Sequence, residues 1–343
     1  MPNSITLPVQ YQQAADLIYK AAALTSVFDN GQIQIVGKEI KIKKISVDGP
    51  ADISRGGAFV GGDATASWQT KTPNYDRARK FSIDALDEAE FGGLYMDVLA
   101  EYIRTKLVPE LDADRFATYA SAASILAATP ATLADAAALL VAINTAMGDM
   151  DTNEVPVEGR VLACESSLLR AVQALDTTKS RETLASFGRI LSVPKTRFYS
   201  KISKYDGTTT GQTAGGYVRY GSQYDAWAAA HAYSLNDMIE ANGKVYKCTT
   251  AGTSGSAAPT WPSTGTVSDG AGALVWTFQA ISGREINFLI AHPTAILQGL
   301  KRTVSPVDMP DADYDSWRVA HRCYGIHEVY DNKVKGIYLH RKA

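Results

Sequence analysis

The C-terminal segment begins Glu285-Ile-Asn-Phe-Leu-Ile-Ala-His-Pro-Thr-Ala-Ile-Leu297 and ends Gly336-Ile-Tyr-Leu-His340. Between these two stretches lie a loop rich in Pro and Asp and a long strand-like stretch at 317–325. This order predicts a strand, a short helix, an acidic loop, a long strand, a tight turn and a final strand. None of these elements carries a catalytic pattern, so the segment is typical of an architectural protein.

Composition sets wide bounds on the class of protein. The chain has 343 residues, enough for two or three domains, and a formal net charge of -2, which does not indicate bulk attraction to nucleic acid or membranes. No apolar run approaches the roughly 20 residues that span a bilayer. The first residues lack a signal-peptide pattern, so we expect the protein to be made in a cytosol. The three cysteines are far apart and predict neither a zinc site nor a disulfide framework.

A long hairpin is predicted near the N-terminus. Isoleucines and lysines alternate over 33–47, a Gly-rich stretch follows, and strand-like sequence returns at 67–71. A two-stranded hairpin with so few apolar residues has little core of its own, so its partner surface is expected on another molecule. A hairpin folded onto its own domain is the alternative. The candidate assembly contacts in this region are Lys41, Lys43, Trp68, Arg77 and Arg79.

The strongest helical pattern spans 84–122, where apolar residues recur every three or four positions. Asp84 is a suitable N-cap, and Pro109 is expected to kink the helix. A second helix is predicted over 132–149, capped by Thr132 and ended by Gly148. A buried strand at 160–164 and short strands at 188–193 and 196–200 complete a compact α/β unit.

A composition shift at Gly207 opens a linker-like stretch, 207–216, that precedes a self-contained unit at 225–280. This unit holds three of the five tryptophans, Trp227, Trp261 and Trp276. Asn242-Gly243 and Asp269-Gly270 are turn signals within it. The pattern predicts a small β domain inserted into a larger fold.

The layout of 33–206 with 284–341 resembles the major capsid proteins of tailed phages, whose Hong Kong 97-type shell fold is shared with herpesviruses and encapsulins. The matching pieces are the hairpin, the long helix, the stretch Val157-Glu-Gly-Arg-Val-Leu162 and the C-terminal strands. The resemblance implies an α+β chain built from an N-terminal arm at 1–32, an extended loop at 33–81, a peripheral domain with a spine helix at 82–131 and 284–343, an axial domain at 132–224, and the inserted β module at 225–280.

The inserted unit resembles small carbohydrate-binding-like β modules found in phage structural proteins and chitin-active enzymes. Exposed aromatic rings can stack on sugars, and the candidate glycan or surface contacts are Trp261, Tyr246 and Tyr233. The alternative is that the aromatics form the core of the module, which we expect for Trp227 and Trp276 because a domain of about 55 residues needs such packing.

Other polar clusters predict structure rather than chemistry. The run Asp308, Asp311, Asp313 and Asp315 lacks the Gly and closing Glu of a calcium loop and is expected to be a solvated or intersubunit loop. His292, His321 and His327 lack metal-binding spacing, so no metal or cofactor is predicted. Arg318 and Arg322 share a strand face and are candidate contacts to a neighbouring subunit, or solvent-facing charges.

The resemblance implies a structural protein, not an enzyme, that assembles into hexamers and pentamers of an icosahedral phage head enclosing double-stranded DNA. Its implied partners are itself, a separate scaffolding protein, a portal, a decoration protein and non-specifically contacted DNA, with no membrane. Because the extended loop begins almost at once, a scaffolding segment is either a separate protein or already removed. The implied location is the virion, after assembly in the host cytoplasm.

Three rival functions stay open at this point. One is a tail or spike protein that binds host glycan through 225–280. Another is an encapsulin-like compartment shell that holds a cargo enzyme. The last is a glycan-active enzyme.

Overall fold

The computed structural model describes residues 23–29, 40–53, 57, 59–91, 94–175, 177–270, 272–304, 307–308 and 316–343. The chain is α+β, as predicted. The strands are β1 Ile40–Val47, β2 Ala64–Lys71, β3 Tyr75–Asp84, β4 Leu126–Ala127, β5 Val161–Glu165, β6 Arg189–Val193, β7 Ile202–Lys204, β8 Tyr217–Arg219, β9 Asp225–Ala226, β10 Ala232–Tyr233, β11 Met238–Ala241, β12 Lys244–Thr250, β13 Gly252–Thr253, β14 Thr266–Asp269, β15 Leu274–Ile281, β16 Ile286–Ala291, β17 Ile296–Val304, β18 Val307–Asp308, β19 Ser316–Val329 and β20 Ile337–Arg341. The helices are α1 Ala85–Phe91, α2 Leu94–Tyr102, α3 Val108–Ser121, α4 Ala136–Thr152, α5 Ser166–Leu175 and α6 Thr178–Ala185, with 3-10 turns at Leu24–Phe28, Lys195–Arg197, Pro293–Ala295 and Val334–Gly336.

The N-terminal hairpin consists of β1 and β2, which pair antiparallel from Ile40 opposite Lys71 to Val47 opposite Ala64. The tip closes at Asp48, whose amide donates to the Asp63 carbonyl at 3.1 Å and whose carboxylate accepts from the Asp63 amide at 2.7 Å. None of the buried clusters found in the described residues includes a residue of this hairpin. The hairpin therefore has no core of its own, as its sequence predicts.

The spine helix is built from α1, α2, a π turn at Ile103–Leu107 and α3, and Asp84 caps its start by accepting from the Leu86 amide at 2.9 Å. Pro109, the expected kink, lies in the first turn of α3, directly after the π turn. A proline lacks the amide that would bond one turn back, so a change of helical pitch just before it is physically expected. Leu99 and Ile103 on the spine helix are buried.

The N-terminal segment is described from residue 23, and Leu24–Phe28 packs against α3. The Asp112 carboxylate accepts from the Thr25 amide at 3.1 Å and from the Thr25 hydroxyl at 2.7 Å. Phe28 is fully buried with Tyr119, whose ring lies 6.0 Å away edge-on. The predicted arm at 1–32 otherwise lies outside the described residues.

A central five-stranded sheet has the order β4-β20-β16-β5-β6. Every residue of β16 is buried because one face of the sheet packs on α3 and the other on α4 and α5. The predicted division placed all of 284–343 in the peripheral domain. In the structure, β16 and β20 lie in one sheet with β5 and β6 of the predicted axial domain, because β16 pairs with both β20 and β5.

A second sheet joins the root of the hairpin to the C-terminal segment. In this sheet β19 pairs with β17 and β18 on one edge and with β3 on the other, from Ser316 opposite Asp84 to Gly325 opposite Tyr75. Gly325 is needed there, since a Cβ atom would lie 2.5 Å from the Gly299 carbonyl oxygen. The hairpin is therefore followed in the chain by β3, a strand that pairs with β19 along its whole length.

Three local predictions were wrong in the axial region. The second helix is capped by Asp135, whose carboxylate accepts from the Ala138 amide at 2.8 Å, and not by Thr132. It runs through Gly148 to Thr152, since a glycine inside a helix costs only about 1 kcal/mol. In the predicted strand at 196–200, residues 196–197 instead belong to a 3-10 turn, and Tyr199 forms one isolated bridge, to Glu285.

The module formed by residues 225–281 contains a sheet of order β14-β15-β12-β11-β9 and a short β10-β13 pair. The predicted turn at Asn242-Gly243 is present, with φ values of 49° and 67° at the two positions, and it joins β11 to β12. The chain enters and leaves at one place, because the Gly283 amide donates to the Tyr220 carbonyl at 2.8 Å.

Candidate assembly surface

The hairpin has two chemically different faces. Residues directly opposite in an antiparallel pair point to the same side, and neighbours along a strand alternate. Ile45 lies opposite Ala66, Val47 opposite Ala64, and Trp68 opposite position 43. Over the outer part of the ladder, 45–47 with 64–68, one face therefore carries Ile45, Val47, Ala64, Ala66 and Trp68, whereas the other carries Ser46, Thr65 and Ser67.

The apolar face of the hairpin is exposed within the single chain. Val47 is 68% exposed, Trp68 is 66% exposed, and Phe59 at the tip is 93% exposed. Ile45, Ile53 and Val60 are also exposed. Several large apolar side chains exposed in one element are typical of an interaction site in soluble proteins.

The root of the hairpin is fixed to the spine helix by an ion pair. Arg77 on β3 donates from Nε to Glu110 Oε1 at 2.6 Å and from Nη2 to Oε2 at 3.2 Å. The Tyr75 hydroxyl donates to the same carboxylate at 3.3 Å. Glu110 is buried, so this bidentate contact is shielded from solvent. The direction in which the hairpin leaves the body is therefore set by the fold.

Partners within the chain are seen for Arg77, Arg79 and Arg322, three of the basic residues predicted as assembly contacts. Besides Arg77, Arg79 donates to the Thr213 carbonyl at 3.1 Å, and Arg322 makes two bonds to Asp76 at 2.8 and 2.6 Å. Arg318 lies on β19 opposite Ser82 and is partly buried. Lys41 and Lys43 lie on β1, but their side chains are outside the described part of the structure, as are residues 309–315 of the acidic loop. Trp68 and Arg322 are the predicted contacts whose side chains are described and exposed, and of the two Arg322 is already paired with Asp76.

The aromatic residues of the module form its interior. Tyr246 is fully buried and donates its hydroxyl to the Pro262 carbonyl at 2.5 Å. Tyr233 is also buried, with its ring 4.8 Å from that of Trp276. Trp261 is partly buried and packs 4.6 Å from Tyr246. The prediction of surface contact does not fit Tyr246 and Tyr233, because a module of this size uses its large rings to build a core.

Asp269 organises the module, and sequence reasoning recognised it only as part of a turn signal. Its Oδ2 accepts from Trp227 Nε1 at 2.7 Å and Trp276 Nε1 at 3.1 Å. Its Oδ1 accepts from the Gly255 amide at 2.9 Å and the Gly270 amide at 2.7 Å. Burial opposes ionisation of this carboxylate, but the four hydrogen bonds outweigh it, and the pKa of Asp269 lies below its ordinary value.

A cleft of about 1100 Å³ lies between β3, the spine helix and the β7–β8 hairpin. Phe81, Tyr102, Tyr205 and Tyr217 line it. Burial, with a smaller contribution from Glu110, raises the pKa of Tyr102 to about 12, so this phenol stays neutral at physiological pH. The lining also includes charged residues, among them Arg79, Asp97 and Lys106.

Within the described part of the chain, no three His, Cys, Asp or Glu side chains converge in a way that could hold a metal ion. His292 instead contacts the Glu158 carbonyl at 3.0 Å. All three cysteines are buried, and burial raises the pKa of the Cys164 thiol to about 12. No helix among the described residues has the length and apolar character needed to cross a bilayer.

The fold is similar to that of solved shell proteins along nearly the whole chain. The capsid of the cyanophage P-SCSP1u matches with a TM-score of 0.50 at 14% identity, over 91% of this chain and 85% of that chain. The virus-like particle from Pyrococcus furiosus matches with a TM-score of 0.50 at 8% identity, over 98% and 100%. The sequence matches no protein-family model and no curated protein. The chain has the Hong Kong 97-type fold that its sequence predicts.

Proposed function

We propose that this protein is the major capsid protein of a tailed phage, which assembles into a closed shell through its N-terminal hairpin. The observation that carries the proposal is the exposed apolar face of Ile45, Val47 and Trp68 on a hairpin without its own core. The similarity of the fold to a phage capsid and to a virus-like particle supports it.

The hairpin is suited to contact between copies because its root is held to the spine helix by the Arg77–Glu110 ion pair. Burial of large apolar side chains contributes about 1.5–3 kcal/mol each, and three of them lie on one face. The hairpin meets a different surface on its neighbour, so the contact is heterologous and closes into rings when the rotation allows it. Rings of six and five copies, as the sequence resemblance implies, would then tile an icosahedral head.

The role is structural rather than catalytic. The cleft is lined by charged as well as aromatic residues, but the Arg77 and Arg219 side chains in its wall are already paired with Glu110 and Glu240. In this proposal, the further partners are a separate scaffolding protein, a portal, a decoration protein and packaged double-stranded DNA. The protein would act in the virion after assembly in the host cytoplasm.

The test is whether the purified full-length protein forms closed shells and whether Trp68 is needed. Wild-type protein should give closed particles in negative-stain images. Trp68→Ser removes an exposed ring, so the subunit should stay folded while assembly requires about tenfold more protein. Ser67→Ala, on the polar face of the same strand, is the matched control and should assemble normally. Rods or trimers in the wild-type images would refute the proposal.

An encapsulin-like compartment is the second candidate, because the match to the Pyrococcus furiosus virus-like particle covers all of that chain. Both functions need shells, so the contents discriminate between them. Nuclease-protected double-stranded DNA in particles from infected cells would support the phage head. A protein cargo without a genome would support the compartment.

A further inference from the structure

Three elements meet at one buried carboxylate oxygen. Asp114 on α3 uses Oδ2 to contact both His327 Nε2 on β19, at 2.8 Å, and Lys204 Nζ on β7, at 3.0 Å. Asp114 and His327 are buried. Sequence reasoning found no role for this group, because its members are 90 and 213 positions apart.

The charge balance of this group favours a neutral histidine. Burial opposes ionisation of Asp114, but hydrogen bonds and charge from His327 and Lys204 keep its pKa below the ordinary value. An ionised carboxylate only accepts hydrogen bonds, so His327 donates its Nε2–H. The Lys204 ammonium already balances the single negative charge of the Asp114 carboxylate. A proton on His327 would add an uncompensated charge, with buried Arg115 adjacent on α3.

The same histidine holds the root of the hairpin. The Asn74 side chain accepts from the His327 amide at 3.1 Å and donates to the His327 carbonyl at 2.7 Å. The Tyr75 ring lies 5.6 Å from the imidazole and 5.3 Å from Lys204 Nζ. Tyr75 also reaches Glu110 on the spine helix. A change in the position of His327 would therefore alter contacts at the hairpin root, the spine helix and β7 together.

We propose that His327, Asp114 and Lys204 form a proton-sensitive latch that fixes the hairpin root and β7 against the spine helix. The latch is closed while His327 is neutral and opens when His327 takes up a proton. The latch goes beyond shell formation, because it sets the conformation of the single chain and does not depend on association between copies.

The direction of the pH effect follows from the environment of His327. Burial lowers its pKa, and the favourable contact with Asp114 offsets this only in part. Stability from the neutral form is therefore present above the ordinary value of 6.5 and is lost as the pH falls through the lowered pKa. Asp114 contributes at more acidic pH, since its pKa lies below 3.8. His321, with a pKa lowered by burial to about 4, and His340 titrate elsewhere in the fold.

The test is hydrogen exchange on the full-length, unassembled protein at about pH 7.5 and about pH 5, with rates corrected for the intrinsic pH dependence. Peptides covering 72–77 and 324–329 should lose protection about tenfold at the lower pH, while the central strand β16 keeps its protection. His327→Gln retains an N–H donor that does not titrate and should reduce the change to less than about twofold. His321→Gln, on the same strand, is the control and should respond like wild type.

The latch is refuted if His327→Gln keeps the full pH response or if β16 loses protection to the same degree. If His327→Gln does not fold, histidine-labelled wild-type protein decides the matter by NMR. The midpoint of the His327 Cε1–H titration must then coincide with the midpoint of the exchange change, and separate midpoints overturn the proposal. All of these measurements concern single chains, so they stand whether or not shells form.

Discussion

The hairpin at 40–71 and the module at 225–281 are both built mainly from antiparallel strand pairs, but they place their large side chains differently. The hairpin exposes Val47 and Trp68 on one face, whereas the module buries Trp276 and Tyr246 inside. A ladder with an uncovered apolar face gains stability only by contact with another molecule. A ladder with its own core gains stability by folding. The comparison therefore separates a part made for assembly from a part that is complete by itself.

The largest expected effect comes from removing the hairpin tip. Replacing residues 49–62 with Asn-Gly removes Ile53, Phe59 and Val60, all exposed, and keeps the pairing of β1 with β2. The subunit should melt within about 2 °C of wild type, because these side chains lie outside the core, but should form no closed shells. Calorimetry and electron microscopy are the measurements.

A Gly-Ser tip of the natural length is the control for that deletion. If this variant also fails to assemble, the apolar side chains are required rather than the length of the hairpin. Normal shells from the shortened variant would show that the tip is not an assembly element, and the contrast with the module would then rest on the β1–β2 face alone.

Asp269→Asn should have the second-largest effect, confined to the module. The amide keeps one acceptor oxygen, so two of the four N–H groups that Asp269 satisfies are left without an acceptor, at a cost of about 1–3 kcal/mol each. Because three of the five tryptophans lie in the module, their fluorescence should shift at a lower urea concentration than in wild type. Shell yield should not change, and a parallel loss of shells would contradict the independence of the module.

The same residue predicts a pH effect. The pKa of Asp269 is lowered in the folded chain, so its contribution to stability is present above the ordinary value of 3.8 and is lost as the pH falls through the lowered value. Wild-type module should therefore weaken in acid below about pH 4, and Asp269→Asn should not show this loss. Urea titrations followed by tryptophan fluorescence at a series of pH values measure the difference.

Local patterns in the sequence predicted the two ladders but not what holds them. Alternation in 40–47 and the Asn242-Gly243 turn depend on neighbours, so both could be read from the sequence. The partners of Asp269 lie up to 42 positions away, and those of Asp114 up to 213. Contacts between residues so far apart in the sequence leave no periodic pattern by which they could be recognised. The helix cap shows the same limit, because Thr132 and Asp135 are both suitable by type and tertiary packing selects Asp135.

The resemblance to shell proteins predicted the fold better than it predicted single residues. The order of hairpin, long helix and C-terminal strands is a property of the whole chain, and the structural neighbours match nearly all of it. Individual contacts depend on side-chain geometry. Arg77 and Arg322 have the charge expected of an intersubunit contact, but Glu110 and Asp76 of the same chain are within reach.

A smaller effect is expected from Tyr246→Phe, which tests whether Tyr246 is a core residue or a glycan contact. Loss of the hydroxyl leaves the Pro262 carbonyl without this donor and should destabilise the module by about 1 kcal/mol. Unfolding of the module in urea, followed by tryptophan fluorescence, measures it. If glycan binding is detected in wild type and lost in Tyr246→Phe with unchanged stability, the ring acts at a surface.

The smallest effect on assembly is expected from replacing the whole module, residues 225–281, with a short Gly-Ser linker. The chain can close there without strain because Tyr220 and Gly283 are already joined by a backbone hydrogen bond of 2.8 Å. The module is held to its host by Arg219, which pairs with Glu240 at 2.8 and 2.9 Å and also donates to the Gly283 carbonyl. After the replacement Arg219 keeps the Gly283 carbonyl and gains solvent, so the cost to the host should be within about 1 kcal/mol. Shells should therefore form at wild-type yield, in contrast to the variant without the hairpin tip.

Heating the shells then distinguishes two roles for the module. An unchanged melting temperature means that it decorates the shell, whereas early melting means that it clamps neighbouring copies. Failure to assemble would show that the module, despite its own core, is needed for assembly in the same way as the hairpin.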